Sequence, residues 1–147
     1  MATLYYLAAV ATGAVVGLGF CLALARWQRA NVHLLLCLSL IYIAAIYVGP
    51  TVGNFAPDAL FDAAMSLVFF IVAAVALRGN RLLLAAGYIG HGALDALHGP
   101  VLEAMLPSWY APMCLGFDWA VAVWILIALG RLEPGVADAA MAPARST

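Results

Sequence analysis

The sequence predicts an all-α integral membrane protein, a compact bundle of five transmembrane helices with the N-terminus outside and the C-terminus in the cytoplasm. Three observations lead there. Hydrophobic residues make up 67% of the 147-residue chain, charged residues only 9%, and the mean hydropathy is +1.07, whereas a soluble domain is about one-quarter charged. Apolar stretches near the length that crosses a bilayer core, about 20 helical residues, recur between Arg, Gly and Pro punctuation. The six basic residues, all Arg, then fall where a five-span topology places one side of the membrane.

The first span covers about residues 4–25 and stops at Arg26-Trp-Gln-Arg29. Its Ala23-Leu-Ala25 has the small-x-small form of a cleavage site, yet the basic residues follow the apolar run instead of preceding it, which favours a retained anchor. The second span, 33–49, closes at Gly49-Pro50. The third, 58–77, opens after Pro57 at Asp58, and the short turn Arg78-Gly-Asn-Arg81 leads into the fourth, 82–98. Gly99-Pro100 ends that span, because proline lacks the N–H a helix interior needs. Pro112 suits the first turn of the fifth span, 112–130, which stops at Arg131. Residues 1–131 thus form a single bundle, and 132–147, small residues with Glu133, Asp138 and Arg145, read as a disordered cytoplasmic tail.

Arg26, Arg29, Arg78, Arg81 and Arg131 lie in the first and third connections and after the last span. The positive-inside rule makes that side cytoplasmic, and the bacterial inner (plasma) membrane is the expected location. The acidic residues Asp58, Asp62, Asp95, Glu103 and Asp118, with His91 and His98, then gather toward the outer face. At about 100° and 1.5 Å per residue, His91, Asp95 and His98 share one narrow stripe of the fourth span, extended inward by Gly87 and Tyr88. Ionisable groups within a membrane face the bundle interior or a water-filled cavity and pair there. Asp62 and Asp118 lie at depths from which they can meet the stripe.

Imidazole beside carboxylate suits a divalent metal such as Zn, so His91, Asp95 and His98 are the candidate ligands. The step from His91 to His98 is long for one ion. His91 with Asp95, or Asp95 with His98, reaches more easily if a neighbouring helix supplies a further carboxylate. A bound ion could activate water, with Asp62 or Asp118 as general base, on a lipid-like substrate entering from the bilayer; that is a metal-dependent membrane hydrolase. The same groups could relay protons or ions without a metal. The chain could also be a transporter, a homo-oligomer or an accessory subunit of a larger membrane complex. Haem needs axial histidines at matching depth, and His33 sits at the cytoplasmic end of span two. A purely structural network is the remaining alternative. Against it, an interhelical hydrogen bond in a membrane contributes about 0.6–2 kcal/mol, while inserting an ionisable group at mid-depth costs about 3 kcal/mol.

Other features are less specific. Trp109 and Tyr110 are headgroup-level residues, and 99–112 could lie across the mouth of the site as an interfacial connector. Tyr42 and Tyr47 could donate hydrogen bonds into the cavity or belong to the aromatic belt. Cys21, Cys37 and Cys114 form no C-x-x-C pair and read as structural thiols. Gly13-x-x-x-Gly17 and the Gly87, Gly90, Ala93, Ala96 set mark close-packing helix faces. There is no nucleotide-binding loop, nucleophile elbow or H-E-x-x-H, and no basic patch for nucleic acid.

The stretch Gly87-Tyr-Ile-Gly-His91-Gly-Ala-Leu-Asp95-Ala-Leu-His98 resembles the H-x-x-x-D-x-x-H helix of small, uncharacterised bacterial multi-span membrane proteins, over these residues alone. The resemblance implies a compact helical bundle and no particular activity. In chemistry the site is similar to that of the membrane metal hydrolases that include the alkaline ceramidases, although this chain has fewer spans and lacks their H-x-x-x-H pair.

Overall fold

A computed structural model describes residues 2–27, 29–46, 57–102 and 107–129. Among them are five α-helices and no strand: α1 (Ala2–Leu24), α2 (Arg29–Ile46), α3 (Pro57–Ala76), α4 (Arg81–Leu102) and α5 (Tyr110–Trp124), which runs on into a π-helical turn, Ile125–Leu129. The expected tail, Tyr47 and Glu103 lie outside the described residues, as do the side chains of Asp58 and His98. Two segments, Thr3–Leu24 and Tyr110–Ala128, are long and apolar enough to cross a bilayer, while the apolar parts of α2 and α3 are shorter.

Local chemistry sets the tight turn between α3 and α4. Gly79 has φ +96°, a left-handed conformation that glycine adopts without a Cβ penalty at a helix end. Asn80 then opens α4, its side-chain oxygen accepting the Leu83 N–H at 2.9 Å, which satisfies one of the orphan donors of the first turn. At its other end α4 passes the expected stop at Gly99-Pro100 and continues to Leu102. A proline in the last turn removes one backbone bond, and its fixed φ is itself close to helical.

The helices are not packed in chain order. α5 lies between α1 and α4, and α3 bridges α4 and α2. Glycine makes the α1–α5 contact. A Cβ on Gly13 would fall on the Met113 carbonyl, one on Gly17 would stand 2.7 Å from the Phe117 carbonyl oxygen, and one on Gly116 would meet the Val10 carbonyl. The Gly13-x-x-x-Gly17 face is therefore consumed within the chain, backbone against backbone.

A closed apolar layer fills the junction of α2, α4 and α5, with Leu36, Leu40, Leu84, Val121 and Ile125 all fully enclosed. Among the described residues, polar side chains cross between helices there or alongside to backbone carbonyls, and Tyr88 also meets the Ser39 side chain. The Tyr88 hydroxyl donates to Leu36 at 2.8 Å, the Ser66 hydroxyl to Ala44 at 2.8 Å, and the His33 Nε2–H to Ala76 at 2.7 Å. The outer faces remain hydrocarbon, with Leu4, Leu60, Leu97 and Trp119 among the exposed side chains.

Candidate metal centre

The periodicity of α4 turns Gly87, Tyr88, His91 and Asp95 into the bundle while Ile89 and Leu97 face outward. His91 and Asp95 are each 1% exposed, and so is Asp118 on α5. What brings α5 so close is Gly92. A Cβ there would stand 3.2 Å from the Asp118 Cβ and 3.0 Å from Cδ1 of Trp119, so a side chain at this position would crowd Asp118 and Trp119.

At the contact, the His91 Nδ1–H donates to Asp118 Oδ2 at 2.7 Å. Asp95 Oδ2 stands 3.5 Å from the same nitrogen, too far for a good hydrogen bond. The edge of the Phe69 ring from α3 covers the imidazole, with centroids 5.1 Å apart and planes at 68°. Both oxygens of Asp95 and Oδ1 of Asp118 are buried and accept no hydrogen bond from the described residues. A buried acceptor left unsatisfied costs about 1–3 kcal/mol, more if charged, and two carboxylates this close repel unless positive charge stands between them.

One donor atom from each of His91, Asp95 and Asp118 can be chosen so that all lie within 4.8 Å of one another. Ligands of a tetrahedral zinc stand about 3.4 Å apart, from bond lengths near 2.0–2.1 Å, so a small contraction of this triad would close it on an ion. Imidazole nitrogen with two carboxylates is a donor set that suits borderline divalent metals. The buried His91, Asp95 and Asp118 could thus hold a metal ion.

No known protein family, curated protein or solved structure matches this chain. The site is therefore read from its own geometry.

Of the residues singled out from sequence, His91, Asp95 and Asp118 come together, with Asp118 as a potential ligand more than a separate base. Asp62 is buried on α3 but does not belong to the triad. The register explains why. Phe69 lies beside His91 and Val72 beside Gly87, so α3 and α4 run antiparallel and Asp62 sits about two turns beyond His91, level with the backbone of His98. Tyr42 is 70% exposed, which places it on the outer surface and not in a cavity. His33 is bonded to the Ala76 carbonyl and takes no part in the centre.

Two residues read from sequence as a structural thiol and a headgroup-level aromatic adjoin the site. Cys114 is one helical turn from Asp118 on α5 and within electrostatic range of both Asp95 and Asp118. Tyr110, a turn further, shares a side-chain hydrogen bond with Cys114 and lies within range of Asp95. The Tyr110, Cys114, Asp118 spacing of four was present in the sequence as a signal. It became meaningful only when α5 was set against α4.

Proposed function

We propose that this chain is an integral membrane metalloprotein that crosses the bilayer five times, N-terminus outside, and holds a divalent ion between His91, Asp95 and Asp118 in the outer half of the bundle. The observation that carries the reading is the triad itself: three converging donors with three buried carboxylate oxygens that accept no hydrogen bond from the described residues. Support for membrane insertion comes from the hydrocarbon outer faces of the helices, from two segments of spanning length, and from the Arg residues clustered at one set of helix ends.

Three protein donors leave coordination positions for water and substrate, the pattern of catalytic more than structural zinc sites. We therefore read the centre as hydrolytic: the ion lowers the pKa of a bound water, and the substrate is lipid-like, reaching the protein through the bilayer. A relay of charge across the membrane is less well supported, because the enclosed layer of Leu36, Leu40, Leu84, Val121 and Ile125 lies inward of His91, and the Tyr88 hydroxyl there is already engaged by the Leu36 carbonyl and by Ser39.

Elemental analysis of the protein purified in mild detergent under metal-replete conditions tests this directly. Stoichiometric metal that disappears in the His91→Ala, Asp95→Ala double variant is expected. Protein without metal would end the proposal, and metal retained by the double variant would mean the ligands are elsewhere. Hydrolysis is tested separately, by chelator-sensitive cleavage of ester- and amide-linked lipids in proteoliposomes.

A further inference from the structure

If an ion binds at the triad, it must reach a place that is 1% exposed, and neither of two apolar grooves on the surface, of about 530 and 260 Å³, is lined by His91, Asp95 or Asp118. Inward, the route is closed by hydrocarbon. On the α1 side it is closed by the Gly13, Gly17 and Gly116 contact, where backbones touch. Outward along the α4–α5 seam the lining is different. The helices run antiparallel there, with His91 beside Asp118. One turn out on each helix this register brings Asp95 to Cys114, and another turn brings the end of α4 to Tyr110.

The electrostatic reach of Cys114 to Asp95 and Asp118, and of Tyr110 to Asp95, agrees with that register. Exposure also rises along the same line: Asp118 is enclosed, Cys114 and Tyr110 are half-buried, and Trp109 at the mouth is 42% exposed. At the inner end of this line Asp95 presents two buried oxygens that accept no hydrogen bond from the described residues.

We infer that the seam formed by Tyr110 and Cys114 of α5 against Asp95 of α4 is the path by which the metal enters from the outer face, with the Cys114 sulfur as a transient ligand that hands the ion to Asp95. The inference rests on the metal reading above and adds to it a direction of entry and a class of cargo. Thiolate favours thiophilic ions such as Zn over Mg or Mn. Cys114 lies outside the 4.8 Å group, as befits a residue passed on the way in. The transfer is ligand exchange without change of oxidation state: the thiol releases its proton to solvent as the metal–sulfur bond forms, and recovers one when that bond breaks in favour of Asp95.

The test is the time course of Zn²⁺ uptake by metal-stripped full-length protein in liposomes, followed with a fluorescent zinc indicator. Cys114→Val is expected to load about tenfold more slowly, the lower end of what losing a coordinating neighbour commonly costs, and to reach the wild-type stoichiometry. Uptake by Cys114→Val at the wild-type rate would overturn the access role while leaving the centre intact. Permanent loss of stoichiometry in that variant would also overturn it, making Cys114 a resident ligand. Failure of the wild-type chain to take up zinc, or any other divalent metal, would remove the centre and the path together.

Discussion

Where α2 meets α3 and α4, the polar side chains that cross the junction find partners within the protein: Tyr88 at the Leu36 carbonyl and Ser39, Ser66 at Ala44, His33 at Ala76. Where α4 meets α5, the polar side chains are equally buried, yet three carboxylate oxygens of Asp95 and Asp118 accept no hydrogen bond from the described residues. The first junction shows what structural polar contacts look like in this protein: one donor, one acceptor, no formal charge required. The second departs from that pattern in both respects. Its acidic groups carry acceptor capacity that only a cation or added protons can use. The difference teaches that burial and polarity alone do not mark a site; unspent bonding capacity does.

Several measurements would sharpen or break this contrast. The largest effect is expected from metal itself. A ligand that binds only the folded state, at a thousandfold excess over its Kd, stabilises by about 4 kcal/mol, so Zn²⁺ should raise the thermal midpoint of the detergent-solubilised wild type and leave Asp95→Ala unmoved. Equal shifts in both proteins would place the ion away from Asp95.

In metal-free protein the sign should reverse. Asp95→Ala removes two unsatisfied buried oxygens while sparing the His91–Asp118 bond, and a gain of about 1–3 kcal/mol is expected from the relieved desolvation. A clear loss of stability would mean that Asp95 is as well satisfied as the residues of the other junction. Gly92→Val tests the approach of the helices. By crowding Asp118 and Trp119 it should cost about 1–3 kcal/mol through overpacking and abolish stoichiometric metal, whereas Gly79→Ala, in the turn far from the centre, should leave metal content unchanged.

The smallest effects belong to the first junction. Tyr88→Phe and Ser66→Ala should each cost about 0.6–1.7 kcal/mol, the range measured for single interhelical hydrogen bonds in membrane proteins, with no change in metal content. If Tyr88→Phe stripped the metal, the two junctions would be one coupled network.

Much of the centre was legible in the sequence. His91 and Asp95 are four residues apart on one helix, and the 3.6-residue repeat puts them on one face whatever surrounds them. The apolar composition made those groups conspicuous, and the turn at Gly79-Asn80 followed from local chemistry. Less legible was the end of α4, because a proline one turn from a terminus is tolerated where one in the middle is not. Cys114 was hidden for another reason: a thiol on an apolar helix looks like packing until its neighbours are known, and Tyr110 was legible only as a headgroup-level aromatic.

By itself, then, the sequence determined an apolar, helical chain and the intrahelical stripe of His91 and Asp95, since both depend on residue type and on spacing within one helix. Only the tertiary structure decided that Asp118 is the carboxylate that groups with His91 and Asp95. That choice depends on the register between helices, which is set by Phe69 against His91 on one side and by the missing side chain of Gly92 on the other. These contacts join residues far apart in the chain, and no local periodicity encodes the distance between them.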